Sequence, residues 1–341
     1  MAGAPITDAA LQEVAAQLST QQGAKIPSEA VGLNFSRATL RQRAQLLQAS
    51  HRAIEACCRS ELGWTQTPLD LLWHLWLPLA LQLHARQQSL GRPLVQGLLG
   101  GQGTGKTTLT QVLAVLLQAL GHRVCRLSID DLYKTYAERQ QMQQVDPRLR
   151  WRGPPGTHDV ALGLAVLQAL QAGSSDEVEI PRFDKSAHGG AGDRTTPERV
   201  HDIDIVLFEG WFTGMRPIDP ACFDQAPPPI ETEGDRTFAR DCNQRLREYL
   251  PLWDCLDGLV VLRPEDYRLS KTWRTEAEHA MKHSGRAGMS DAELSQFVDY
   301  FWKALHPELF LPPLLRDPQG VDLVVEMGGD RRPSRLWSPA P

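Results

Sequence analysis

Two hydrophobic textures meet near residue 91. Over 1–90 the apolar positions recur at helical spacing, with no strand-like alternation. Thr7 can cap a short helix ending near Ser19, and the stretch from Gly23 to Pro27 breaks it. Ser36 can cap a longer helix over 37–62, whose Leu40, Ala44, Leu47, Ile54 and Cys58 share a face. A third helix is expected from Thr67 to about Leu90, stopped by Gly91-Arg92-Pro93. From residue 94 the pattern changes to short apolar runs at 94–99, 124–129, 203–208, 259–262 and 323–325, separated by amphipathic helices. Strands alternating with helices imply an α/β fold: a five-stranded, mainly parallel sheet with helices on both faces. The expected organisation is an N-terminal helical region (1–90) and a main domain (91–341). Ala226 to Pro229 is a short proline-rich loop, and the last dozen residues read as a weakly ordered tail.

Composition narrows the function classes. At 341 residues the chain can bury a large core, and a net charge of −5 gives no bulk positive field for nucleic acid or an anionic membrane. The longest apolar stretch, Leu71 to Leu83, contains His74 and Pro78 and falls short of the about 20 residues a spanning helix needs. Six cysteines without C-x-x-C spacing suit a reducing compartment. With no signal-like or Arg-rich leader, the expectation is a cytoplasmic protein, read as a monomer, with a small-molecule substrate.

In a parallel sheet, ligands gather at the carboxyl ends of strands. The residues that follow the five runs are Gly100, Asp130, Glu209, Arg263 and Glu326. Gly100-Gly101-Gln102-Gly103-Thr104-Gly105-Lys106-Thr107 matches the phosphate-binding pattern G-x-x-x-x-G-K-S/T, with Thr108 next in the helix. An apolar run precedes it, and a helix carrying Leu109, Val112, Leu113, Leu116, Leu117 and Leu120 on one face follows. Glycines let backbone N–H groups curl round phosphate oxygens, and the helix N-terminus adds partial positive charge. Lys106 is expected on the β- and γ-phosphates of a nucleotide, and the Thr107 hydroxyl on Mg²⁺. This makes the fold a three-layer P-loop NTPase.

Asp130 leaves the second strand near the γ-phosphate, where phosphoryl transfer wants a base; it is also a metal-ligand candidate. Asp131 either supports it, holds metal through water, or caps the next helix. Glu209, at the end of the third strand, is expected to hold Mg²⁺ through water or to orient the nucleophile, and Gly210 allows close backbone approach. The segment between them, 134–202, exceeds what one crossover needs and is expected to build the acceptor pocket. There Arg152, Arg182, Lys185 and Arg194 stand among glycines and suit a small anion, although each is equally a surface charge or an internal ion pair. Asp184 and His158 are further substrate candidates, with a structural loop role open for the histidine. In a later helix Arg268, Lys271 and Arg274 read either as a cationic lid within 264–290 or as a solvated face. The loop 327–331 is an adenine contact or a plain surface loop, and Phe301 and Trp302 read as core.

These segments together resemble the plant-type D-glycerate 3-kinase family, P-loop kinases related to phosphoribulokinase, uridine kinase and pantothenate kinase. The resemblance rests on the phosphate loop, SIDDLY (128–133), RGPPGTHD (152–159), PRFDKSAHGGAGDR (181–194), FEGW (208–211), WRTEAE (273–278) and GMSDAEL (288–294), within about 94–326. It implies phosphorylation of the 3-hydroxyl of D-glycerate by ATP and Mg²⁺. Asp130 would be the base, Lys106 and Thr107 the nucleotide ligands, and Glu209 the second acid. Other readings are a kinase of uridine, ribulose 5-phosphate or pantothenate, a regulatory NTPase, and a nucleotide-binding structural module. The guanine-reading N-K-x-D motif is absent. No function is assigned to residues 1–90.

Overall fold

The computed structural model describes residues 37–173, 176–283, 289–317 and 320–339; the helix expected over 7–19 and the cap at Ser36 lie outside them. The first described helix, α1 (Arg37–Ser60), buries Ala44, Ile54 and Cys58, the face its spacing predicts. The helical run over 69–90, α2, starts at Leu69–Leu71, widens into a π turn at Leu72–Trp76 and continues as Leu77–Leu90. Pro78 has no N–H for the carbonyl four residues back, and it sits where the wide turn gives way to regular helix. Gly91, at φ 63°, ends α2.

The main sheet then begins. In chain order come β1 (Leu94–Gly100), α3 (Lys106–Ala119), β2 (Val124–Ser128), α4 (Tyr136–Val145) and α5 (Val160–Gln171). A hairpin follows, β3 (Val178–Asp184) with β4 (Asp193–Val200), then β5 (Ile205–Gly210), α6 (Glu233–Arg245) and β6 (Gly258–Pro264). The chain closes with α7 (Leu269–His283), α8 (Asp291–Ala304), α9 (Pro307–Leu315), β7 (Leu323–Met327) and β8 (Pro333–Trp337). The sheet order is β2-β5-β1-β6-β7-β8, and the five expected strands are all parallel.

The sheet has a sixth strand that the sequence reading leaves in the tail. β8 pairs antiparallel with β7, through Val324↔Trp337 and Val325↔Leu336, and buries Leu336. It is short, starts with a proline and lies at the edge, where a missing N–H costs little. The crossover 134–202 carries regular structure of its own. It holds helices α4 and α5, and 178–200 form an antiparallel two-stranded ribbon.

Alternation along the strands splits the core in two. Leu94 and Leu98 of β1, Ile205 and Leu207 of β5, and Val260 and Leu262 of β6 face Leu109, Leu113 and Leu116 of α3. The same cluster takes in Ile54 of α1 and Leu72 to Leu83 of α2, so the N-terminal helices complete one face of the sheet. Val95, Leu99, Val206, Phe208 and Val261 face α5, α6, α8 and α9. Strands apolar on both faces are what a sheet covered on both sides requires. The alternation fixes register, because a one-residue slip would carry each side chain to the other face.

Two buried histidines make this fold acid-sensitive. His158 and His306 are 2% and 0% exposed, and burial pulls their pKa values down to about 3 and about 4. The unfolded chain protonates both near pH 6.5, whereas the folded chain resists until near pH 4 or below. The unfolded state therefore binds more protons in that window, and stability falls as pH drops through it, by about 1.4 kcal/mol per unit per histidine at full slope. Urea unfolding at pH 7, 5.5 and 4.5 checks this. His306→Gln is expected to flatten the decline, and an unchanged slope contradicts it.

Candidate active site

The phosphate loop joins the end of β1 to the start of α3. Gly103 and Gly105 hold φ of 76° and 85°, in the left-handed region that side-chain-bearing residues avoid. At Gly103 a Cβ would also come within 2.9 Å of Trp273 Cβ. Trp273 of α7 is 1% exposed and donates from Nε1 to the Gly329 carbonyl, while Arg331 reaches the Trp273 carbonyl. One buried indole thus ties the loop 327–331 to the phosphate loop. Lys106 Nζ lies 2.9 Å from the Gly101 carbonyl, which also accepts from Thr104 Oγ1. Burial pulls the Lys106 pKa below the ordinary lysine range, against the opposing charges of Glu209 and Asp130.

Register sets the acids beside it. Glu209 pairs in the ladder with Leu98 of β1 and Ser128 of β2, which puts it on the same rim as the loop. Its Oε1 accepts from Thr107 Oγ1 at 2.8 Å. A hydroxyl and a carboxylate at this separation are hard oxygen donors that fit Mg²⁺. The described residues hold no cluster of three or more His, Cys, Asp or Glu for a metal. Gly210 lies against Ile129, where a Cβ would meet its side chain at 2.8 Å.

Asp130 and Asp131 follow β2 in a short 3₁₀ turn, Ile129–Leu132, and they part company there. Asp131 accepts from the Ser128 N–H at 3.0 Å and from Arg182 at 3.0 Å, making a capping box and an ion pair. Burial raises its pKa despite those partners. Asp130 faces the cavity instead. Burial alone would raise its carboxyl, but Lys185, 2.5 Å away, with the Tyr133 hydroxyl, holds it below the usual range. Tyr133 is 3% exposed and stacks on His158, with ring centroids 4.5 Å apart. The Tyr249 hydroxyl accepts from the Gly156 N–H at 2.8 Å and lies 2.8 Å from His158 Nδ1. The Gly-Pro-Pro-Gly-Thr-His segment is therefore a frame behind the aspartate. It is joined to it by the bridge Tyr133↔His158 and the Lys134–Thr157 backbone bond.

A cavity of about 410 Å³ collects Lys106, Thr107, Asp130, Glu209, Arg152, Lys185 and Arg274, with Tyr133, Trp211 and Phe301 among its other walls. Of the substrate candidates, Arg152 and Lys185 reach it. Arg152 also donates to the Gly190 and Ala191 carbonyls. Arg182, Arg194, Asp184 and His158 do not line it. Arg182 is spent on Asp131, Glu198 and the Arg126 carbonyl, and Arg194 on Asp159 and the Tyr133 carbonyl. Asp184 caps its own turn by accepting from Ser186 N–H and Oγ, and His158 is buried behind Tyr133. Such a pattern of partners cannot be read from spacing, since cations beside glycines look alike whether they face ligand or carboxylate.

The late cations separate too. Arg268 precedes α7 and pairs with Asp266; Lys271 pairs with Asp299 of α8. Arg274 alone of the three lines the phosphate cavity, where Glu278 steadies it at 2.9 Å. Positions three apart on a helix are neighbours, but packing against α8 takes up the first turn. Phe301, read as core, is 7% exposed and also walls the cavity. Tyr133 and Trp273 carried no role in the sequence reading; only their position inside SIDDLY and WRTEAE marked them. A separate cavity of about 590 Å³ lies against Gly100 to Gln102, with Leu99, Met215, Leu305 and Leu315 among its walls, and holds none of Lys106, Asp130 or Glu209. No described helix is long and apolar enough to cross a membrane.

No family model matches the chain. It is 32% identical over 297 residues to the chloroplastic D-glycerate 3-kinase of Arabidopsis thaliana, a match covering 80% of this chain and 63% of that protein. The chain thus spans less than two thirds of that relative's length. It is 34% identical over 219 residues to an uncharacterized kinase of Schizosaccharomyces pombe, covering 62% of this chain and 79% of the other. Among solved structures, a D-glycerate 3-kinase from Cryptococcus neoformans matches with a TM-score of 0.68 at 29% identity, over 76% of this chain and 96% of that one. Identity above 30% across most of a relative's length, together with the shared fold, means that the chain belongs to the D-glycerate 3-kinase family of P-loop kinases.

Proposed function

We propose that this protein transfers the γ-phosphoryl group of ATP to the 3-hydroxyl of D-glycerate. The observation that carries this is one cavity lined at once by a phosphate-loop lysine, a strand-end acid beside a threonine hydroxyl, a second carboxylate and three further cations. Phosphoryl transfer is largely positioning plus charge stabilisation. Lys106 and the loop N–H groups take the phosphates, Arg274 adds positive charge, and Thr107 with Glu209 would hold Mg²⁺, which when bound neutralises phosphate charge. Asp130 takes the acceptor proton. Arg152 and Lys185 suit a small carboxylate, and the cavity is of ligand size. In this reading 91–341 is the kinase domain, 134–202 the acceptor wall, 264–290 a lid acting through Arg274, and the helical region a cover on the sheet. The adenine contact falls to the loop 327–331, which Trp273 couples to the phosphate loop. All these groups come from one chain, so a monomer suffices. Six free cysteines support a reducing compartment such as the cytoplasm.

A coupled ADP assay against D-glycerate, uridine, ribulose 5-phosphate and pantothenate tests the reading: ADP release driven by glycerate alone is expected, and release driven by another acceptor overturns it. Lys106→Ala is expected to abolish turnover. Asp130→Asn should lower kcat by about 10²-fold or more with ATP affinity held within about three-fold; equal losses in both contradict a base. Arg152→Ala should raise the KM for glycerate. Arg182→Ala should instead lower stability by about 1–3 kcal/mol in urea unfolding and leave KM unchanged, because its partners are Asp131 and Glu198. A KM effect confined to Arg182 would reverse that assignment.

A further inference from the structure

Lys185 and Arg152 both line the cavity, yet they are held differently. The loop between β3 and β4 is pinned through its main chain: Arg139 donates to the Ala191 and Gly192 carbonyls, and Arg152 to those of Gly190 and Ala191. Asp184 fixes the turn at the other end by accepting from Ser186. The Lys185 stem leaves this rigid base, its side chain is 61% exposed, and its ammonium donates to Asp130 Oδ2 at 2.5 Å. An exposed lysine head on a flexible stem exchanges partners readily, unlike a guanidinium bonded to two carbonyls. It sits on the carboxylate that the reaction needs free.

We propose that Lys185 is an anion-operated latch: its ammonium covers Asp130 until the acid group of the acceptor draws it away. This rests on the reading of the site as a hydroxy-acid kinase and deepens it. With the latch closed, Asp130 Oδ2 already accepts a charge-assisted hydrogen bond, so the carboxylate is a weaker base toward a water near the γ-phosphate. An acceptor carboxylate offers Lys185 an alternative partner of the same charge and geometry. Once Lys185 has moved to it, the acceptor hydroxyl takes the vacated place. Its proton passes to Asp130, its oxygen bonds the γ-phosphorus, and the bond to the β,γ-bridging oxygen breaks, its electron pair leaving with ADP. The proton returns to solvent after release. A neutral polyol lacks the group that opens the latch, so the device selects for charge on the acceptor and restrains wasteful hydrolysis.

Lys185→Met keeps the stem and removes the charge; Lys185→Arg keeps the charge. ADP release is measured with no acceptor, with D-glycerate and with glycerol. For Lys185→Met the latch requires two changes together. Acceptor-free ADP release should rise about five-fold or more, and the preference for glycerate over glycerol in kcat/KM should fall about ten-fold or more, as expected for losing a charge-assisted bond. Lys185→Arg should retain much of the preference. If acceptor-free release stays at the wild-type level while only the KM for glycerate rises, Lys185 is a plain substrate contact and the latch is wrong. If the wild-type protein turns over no glycerate, the acceptor reading fails. The latch is then decided by acceptor-free release alone, where no rise in Lys185→Met rejects it. Unchanged circular dichroism and ATP affinity in Lys185→Met show that the fold and the phosphate loop are intact.

Discussion

The chemistry of this molecule depends on the parallel registration of β1, β2 and β5. Leu98 and Ser128 both stand beside Glu209, so three strands end on one rim within two residues of that level. The phosphate loop leaves the first, the aspartate pair the second and the glutamate the third. A slip of one residue in β5 would turn Glu209 toward a packed helix layer and bring Phe208 to the rim. What prevents the slip is burial. Phe208 is wholly enclosed on one face and Leu207 on the other, with Val206 and Ile205 repeating the alternation. Hydrophobic packing on both faces thus sets the position of charged groups at the edge.

Around that rim the protein uses ion pairs to sort like residues into unlike roles. Asp130 and Asp131 are neighbours, but one turns into the cavity and the other locks to Ser128 and Arg182. Arg152, Arg182, Lys185 and Arg194 come from one stretch of chain, yet two of them are consumed by carboxylates outside the cavity. Removing such an internal partner leaves the other charge uncompensated, which is costly in a half-buried setting. The β3–β4 ribbon therefore needs these pairs to stand where it does, and its exposed lysine reaches Asp130 from a fixed platform.

The helical layer of α1 and α2 and the edge strand β8 serve the same end from further away. The first closes the face of the sheet that carries α3, whose N-terminus is the phosphate site; the second caps the outer edge beside β7. Trp273 links this periphery to the chemistry, lying between the phosphate loop and the loop 327–331. Through this one side chain a change at α7 reaches both the phosphate and the expected adenine region.

Local sequence determined the parts whose physics is local. Glycine spacing made the phosphate loop, short apolar runs made the five parallel strands, and helical periodicity made α1, α2 with its stop at Gly91, and α3. Strand ends named Asp130 and Glu209, because a parallel sheet has one chemical edge whatever its detail. Tertiary structure alone decided which cations face the cavity, that Tyr133 and His158 back the aspartate, that Phe301 is both core and wall, and that residues 333–337 make a sixth strand. Those outcomes turn on partners far away in the chain, as with Arg182 and Glu198 across the ribbon or β8 against β7. A charge or a short edge strand takes its role from whatever the fold sets opposite it, and no local pattern encodes that.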